Sequence, residues 1–115
     1  MVSTYQYGTV AGLEALTGTD YSAVNALYVD AVLEANLSSA ERKINGRYNT
    51  SWVSTIPDGV VDATYMIAAK LMKNMMIENG EVEGEINLDF FDVSVLQSLS
   101  AIENQESKIQ SVWWI

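Results

Sequence analysis

The stretch "VLEANLSSAERKINGRYNTSWVSTIPDGVVDATYMIAAKLM", residues 32–72, predicts two helices joined by a short loop. Before the loop, the apolar residues that recur at helical spacing are Val29, Leu33, Leu37, Ala40 and Ile44. After the loop, the residues with the same spacing are Val61, Tyr65, Ala68, Met72 and Met75. We expect Gly46 to end the first helix and Pro57 to stand in the first turn of the second, where its missing N–H is not needed.

The first of these helices is predicted to be long. Asp20 suits its N-cap, and helical spacing continues from there to about Ile44, which corresponds to a helix of roughly 37 Å. A second apolar stripe on it consists of Val24, Leu27, Tyr28 and Ala31. The two stripes form an apolar arc wider than one neighbouring helix covers, so we expect part of the arc to pack against a neighbouring subunit.

A short helix is predicted ahead of the long one. It carries Val10, Leu13 and Leu16 at helical spacing. Thr9 can cap its start and Gly18 can end it, because a hydroxyl accepts from the first free amides and glycine adopts the left-handed conformation.

The last third of the chain reads differently. Residues 81–92, "EVEGEINLDFFD", alternate acidic and apolar side chains and predict a strand or an extended arm. A shorter helix is expected from about Val93 to Gln110, and "SVWWI" follows it. The whole chain therefore predicts an all-α fold, a small helical bundle with one long central helix plus an extended acidic arm and a C-terminal tail. We assign it to one domain, with residues 1–80 as helical core and residues 81–115 as arm, short helix and interaction tail.

Length and charge restrict the classes of function. At 115 residues the chain is long enough for one domain with its own core. Its net charge of −9, from 15 acidic and 6 basic residues, argues against binding duplex DNA through phosphates, which requires clustered Lys and Arg. The sequence has no apolar run long enough for a transmembrane helix, and its first ten residues do not resemble a signal peptide, so no membrane contact is expected.

Chemistry-bearing motifs are scarce. The sequence has neither His nor Cys, so disulfides, thiolate metal sites and the usual nucleophilic triads are excluded. It has no Gly-rich phosphate loop, since "GEVEG" is acidic. Carboxylates of the acidic run could hold Ca²⁺ or Mg²⁺, but the run lacks the spacing of a calcium loop, and a solvated acidic segment is the better interpretation. We therefore expect no enzymatic activity, no catalytic residues, no cofactor and no metal.

Two clusters near the helix ends have more than one interpretation. Arg42, Lys43 and Arg47 are expected to complement the negative end of the long helix, or to meet acidic residues on a neighbouring subunit. We take the three as candidate inter-subunit residues. The methionines of "LMKNMMI", residues 71–77, predict core packing, with an adaptable binding groove as the alternative.

The "SVWWI" segment places two indoles side by side. It can fold back onto its own core or dock on a partner chain, and either position would remove a large apolar area from water. Adjacent residues of an extended segment point to opposite sides, which favours a position between two surfaces and hence a partner. The predicted partner interface consists of Phe90, Phe91, Val112, Trp113, Trp114 and Ile115.

Residues 32–72 also resemble a known family, the head–tail connector adaptors, or head-completion proteins, of tailed bacteriophages and related viruses. The positions that match the family's long helix end are Ala40, Ile44, Asn45, Gly46, Arg47 and Tyr48. Those that match the start of its next helix are Ile56, Pro57, Asp62, Ala63, Ile67 and Ala68. The short first helix fits as well, so the resemblance covers roughly residues 4–80. The loop "NTSW" replaces a Pro-rich turn of many relatives, and the acidic arm and tail have no counterpart.

The resemblance implies a structural virion protein rather than an enzyme. Such proteins form a ring, commonly of about twelve copies, beneath the portal, and genomic DNA passes through the centre. The implied partners are further copies of the chain, the portal protein and a tail or stopper protein, in the neck of a virion assembled in the host cytoplasm. Because a negative lumen lets DNA slide, we expect Glu81, Glu83 and Glu85 to line the channel without binding DNA specifically. The alternative is a small helical regulatory or scaffold module that binds one partner protein.

Overall fold

The computed structural model describes residues 4–53 and 55–102, and within these ranges the chain is helical and has no β-strand. The helices are α1 (Val10–Thr17), α2 (Tyr21–Val24), α3 (Asp30–Tyr48), α4 (Asp58–Glu78) and α5 (Val93–Ser98). The all-α prediction is therefore confirmed. The described part of the chain includes no helix with the length and apolar character needed to cross a membrane.

The predicted first helix is confirmed together with both of its ends. The side chain of Thr9 accepts a hydrogen bond from the Gly12 amide, and Gly18 ends α1 in the left-handed conformation. α1 lies close against α4, because Gly12 faces the ring of Tyr65. A Cβ atom on Gly12 would meet the Tyr65 hydroxyl, which accepts a 3.0 Å hydrogen bond from the Thr9 amide.

The prediction of one continuous helix from Asp20 to Ile44 is wrong. The chain forms a single turn, α2, and then breaks at Asn25, whose backbone is extended. The Asn25 side-chain oxygen accepts a 2.9 Å hydrogen bond from the Leu27 amide, a local turn that replaces the helical ladder. The same side chain donates to Glu81 at 2.8 Å. A local turn and a distant anchor together outweigh the helical periodicity of this stretch.

α3 and α4 form the centre of the molecule and make the most extensive contact between elements. α1 packs against both, and α5 packs against α4. The fully buried side chains of the central pair include Leu33, Leu37, Ala40, Ile44, Val60, Ala63, Ile67, Ala68 and Met72. The burial of Met72 confirms core packing at that position of the methionine cluster.

The ends of α3 and α4 differ slightly from their predicted positions. α3 continues past Gly46 to Tyr48, and Asn49 ends it in the left-handed conformation at φ 51°. Asparagine tolerates this conformation better than most residues with a side chain, which is why it can serve where glycine was expected. Pro57 stands at the N-cap of α4, immediately before the first turn.

α5 begins at Val93, where the last helix was predicted to start, and Asp92 caps it by accepting from the Val95 amide at 3.0 Å. Its other end lies directly on α4. A Cβ atom on Gly59 would stand 1.9 Å from the Ser98 carbonyl oxygen, so only glycine permits this approach. The helix ends at Ser98, with Leu99 as its C-cap, so the prediction of one continuous helix from Val93 to Gln110 is wrong. The part of that prediction from residue 103 onward lies outside the described residues.

Candidate interaction surfaces

The acidic arm, residues 81–92, has no regular secondary structure and is attached to α4 by side-chain contacts. Asn74 exchanges two hydrogen bonds with the backbone of Asn87, at 2.8 and 2.9 Å. Lys70 donates to the Asp89 carbonyl at 3.0 Å and forms an ion pair with Asp92. These contacts hold the arm against its own subunit.

Phe90 and Phe91 are half-buried and pack against the core of the same chain. The Lys43 ammonium lies 5.0 Å from the centroid of the Phe90 ring, and the Arg47 guanidinium lies 4.9 Å from that of Phe91. Both distances suit cation–π attraction. The structure therefore brings together two predicted sets, the phenylalanines of the partner interface and two of the basic inter-subunit residues. Arg42 is exposed on α3. The contacts of these residues with other subunits stay predictions.

The three acidic residues predicted to line a channel separate into two environments. Glu81 accepts hydrogen bonds from Asn25 at 2.8 Å and from the Tyr28 hydroxyl at 3.0 Å, and Asn79 donates to the same hydroxyl at 2.8 Å. Burial raises the pKa of Tyr28 above its ordinary value. The second carboxylate oxygen of Glu81 is buried and has no hydrogen-bond partner among the described residues.

Glu83 and Glu85, by contrast, are exposed to solvent on the arm. Their side chains take no part in the hydrogen bonds that join Glu81 to Asn25 and Tyr28. The described residues contain no group of three or more acidic side chains arranged to hold a metal ion. Glu83 and Glu85 therefore present negative charge on the exposed side of the arm.

Most of the exposed large apolar side chains fall in two stretches of the sequence, and Tyr5 and Val53 lie outside both. The first apolar stretch consists of Leu16, Val24, Leu27 and Val29. The second apolar stretch consists of Val82, Ile86, Leu88 and Val93. Leu27 is 73% exposed and Leu88 is 76% exposed, so neither contributes to the core of its own subunit. The sequence had indicated Val24 and Leu27 as part of an apolar arc too wide for one partner helix.

The N-terminal strap, residues 4–8, crosses α3 and is held by a buried acid that sequence reasoning missed. Glu41 is fully buried, and its two carboxylate oxygens accept 2.9 Å hydrogen bonds from the amides of Tyr5 and Tyr7. Ser38 accepts from the Thr4 amide at 2.9 Å. The available signal was the position of Glu41, four residues after Leu37 on the apolar face of α3.

The strap and the α3–α4 loop border an open pocket of about 380 Å³. The residues that line this strap pocket are Thr4, Tyr5, Gln6, Trp52, Val53 and Ile56. The Tyr7 hydroxyl ties its two walls together, since it accepts from the Trp52 amide at 3.0 Å and donates to Asn45 at 2.8 Å. None of the described residues that line the pocket carries a charge.

The remaining residues of the predicted partner interface, Val112, Trp113, Trp114 and Ile115, lie outside the described residues. Comparison of the chain with protein-family models, with curated proteins and with solved structures found no match.

Proposed function

We propose that this chain is a structural subunit of a viral head–tail connector, which assembles as a ring between the portal and the tail or stopper protein. The resemblance of residues 4–80 to connector adaptors supports this role and suggests about twelve copies per ring. The ring sits in the neck of the virion and is assembled in the host cytoplasm. Its role is to join the two neighbouring structures and to let the genome pass.

The observation that carries the proposal is the presence of two dissimilar apolar stretches on one subunit. A closed ring uses a heterologous contact, in which one surface of a copy meets a different surface of the next copy. The first apolar stretch lies on α1, α2 and the turn before α3, and the second lies on the arm and the start of α5. Contact between the first stretch of one copy and the second stretch of the next would cover both.

Charge supports the passage of DNA. Each subunit has a net charge of −9, and Glu83 and Glu85 are exposed on the arm. A channel lined by such carboxylates would offer phosphates no ion pairs, so DNA would slide rather than bind. Glu81 supports this surface from within its own subunit through Asn25 and Tyr28.

The ring contact is tested by measuring assembly mass for the wild type, Leu27→Asp and Leu88→Asp, alone and mixed. The wild type is expected to form large oligomers, alone or on a portal ring, and each variant alone should stay monomeric. A mixture of the two variants should give dimers, because one intact pair of surfaces remains between them. Ala35→Asp, which adds the same charge at an exposed position of α3, is the matched control.

Two results would contradict the proposal. If the wild-type chain stays monomeric at high concentration and does not assemble on a portal ring, the alternative, a small regulatory or scaffold module, is favoured. A mixture of Leu27→Asp and Leu88→Asp that forms no dimers would rule out the heterologous contact. For the channel, Glu83→Lys with Glu85→Lys should slow genome ejection, and unchanged ejection would remove the acidic lining.

A further inference from the structure

We propose that, in the free subunit, the strap pocket is the docking site for the Trp113–Trp114 segment of the same chain. This inference concerns a contact within one subunit and does not depend on the proposed connector role. It rests on the chemistry of the pocket, on the position of the last described residues, and on the composition of the segment.

The pocket presents aromatic and apolar groups to solvent beside the polar side chains of Thr4 and Gln6. Val53 is 92% exposed and Tyr5 is 38% exposed, although both line a concave site. A row of rings leads into it, with centroids 5.7 Å apart for Tyr5 and Tyr7 and 6.1 Å apart for Tyr7 and Trp52. These spacings are those of favourable aromatic pairs, and an indole in the pocket would extend the row. A volume of about 380 Å³ lies within the range of small-ligand pockets.

The last described residues lie at the same end of α4 as this pocket. The Ser98 carbonyl lies against Gly59 at the start of α4, and Ile102 packs on the core. Gly59 stands three residues after Ile56, which lines the pocket, so their Cα atoms are at most about 11 Å apart. Eleven residues lead from Ile102 to Trp113 and span at most about 38 Å when extended. The segment can therefore reach the pocket of its own subunit.

Proximity favours the same chain over a second copy. A tether of this length gives an effective concentration in the millimolar range, above the concentration of free subunits in dilute solution. The composition agrees with the site, because "IQSVWWI", residues 109–115, carries no charged side chain and the described residues that line the pocket carry none either. Although the chain has a net charge of −9, docking of this segment in the pocket would bury no charged side chain.

The test measures paramagnetic broadening from a spin label next to the tryptophans. The chain has no Cys, so Ser111→Cys provides a single attachment site. Ser111→Cys is combined with Leu27→Asp, which keeps the protein monomeric if the wild type forms rings. If the wild type is already monomeric, Leu27→Asp does not affect the measurement. In ¹⁵N-labelled protein, the amide signals of Gln6 and Val53 should lose more than half of their intensity. The signal of Gly80, at the far end of α4 and about 30 Å away, should be unchanged.

A second variant and a mixed sample complete the test. Val53→Asp replaces a 92% exposed side chain, so the fold should persist while the broadening at Gln6 disappears. Leu88→Asp, at a 76% exposed position outside the pocket, should leave the broadening intact. The proposal would be overturned if the Gln6 signal is not broadened in the spin-labelled protein without Val53→Asp. It would also be overturned if the broadening persists after Val53→Asp. Broadening of a ¹⁵N-labelled chain by a separate spin-labelled chain would overturn it too, and would assign the pocket to a second copy.

Discussion

The side-chain amide of Asn74 pairs with the backbone of Asn87 in both directions. Its Nδ2 donates to the Asn87 carbonyl at 2.8 Å, and its Oδ1 accepts from the Asn87 amide at 2.9 Å. The Asn74 side chain of α4 thus offers the arm one donor and one acceptor, as the backbone of a neighbouring strand would. This pairing keeps an acidic segment without regular secondary structure in a defined place, 13 positions along the chain.

We expect Asn74→Ala to release the arm. The substitution leaves the Asn87 amide and carbonyl without their partners, which should lower the free energy of unfolding by about 1–3 kcal/mol. Hydrogen exchange should show the Asn87 amide losing its protection. Lys73→Ala, one residue away on the exposed side of α4, is the control and should leave exchange at Asn87 unchanged. Equal exchange in both variants would mean that other contacts hold the arm.

Glu41→Gln should destabilise the N-terminal strap. Both oxygens of the buried carboxylate accept amide hydrogen bonds, and glutamine offers one oxygen and an NH₂ group that faces a second donor. The expected loss is about 2–3 kcal/mol of unfolding free energy, measured by urea denaturation. Exposed Glu78→Gln removes the same charge and should change stability by less than about 0.5 kcal/mol. Similar losses in the two variants would point to net charge rather than to the strap.

Two glycine substitutions should have opposite signs. Gly59→Ala places a methyl group 1.9 Å from the backbone oxygen of Ser98, so α5 must shift and stability should fall by about 1–3 kcal/mol. Gly46→Ala, within α3, meets nothing within 4 Å and should stabilise the protein by about 0.5–1 kcal/mol. Thermal unfolding of both variants checks the pair. A stable Gly59→Ala protein would mean that α5 does not pack on α4 as described.

The ion pair between Lys70 and Asp92 predicts a specific pH dependence. The hydrogen bond from Lys70, and then that from the Val95 amide, hold the pKa of Asp92 below its ordinary value. A lowered pKa in the folded state contributes stability above the ordinary carboxyl pKa, and this contribution is lost as the pH falls through the lowered value.

Asp92→Asn should therefore lower Tm relative to the wild type at pH 7 and at pH 5, and the difference should shrink as the pH falls below the ordinary carboxyl pKa. Asparagine can still cap α5, so the comparison isolates the ion pair. Asp89→Asn removes an equal charge from the same arm and should show a smaller difference at every pH. If the difference in Tm between Asp92→Asn and the wild type does not depend on pH, the ion pair is excluded as its origin.

Helical periodicity was a sufficient guide where the contacts are local. It predicted α1, α4 and most of α3, because residues three and four apart share a face and the apolar residues of these segments keep that spacing. It also predicted the cap at Thr9 and the start of α5 at Val93, since each depends on a few neighbouring residues.

The candidate surfaces depended on longer-range contacts and were only partly predictable. Phe90 and the basic cluster were each predicted to be interface residues, but nothing in the sequence indicated that Lys43 would lie over Phe90. Glu41 was overlooked because its partners are backbone amides of the strap, which have no sequence signature.

By itself the sequence determined the all-α class and the buried face of α3 from Leu33 to Ile44, because helix formation and amphipathicity are set by residues within a few positions of one another. Of the stripe predicted for α4, only Ala68 and Met72 are buried. Only the tertiary structure decided that the helix breaks at Asn25, that the arm lies along α4, and that a pocket forms between the strap and the α3–α4 loop. The physical reason is that each of these features depends on hydrogen bonds or packing between segments far apart in the chain, such as Asn25 with Glu81. Such contacts form only when the helices have packed and brought these segments together.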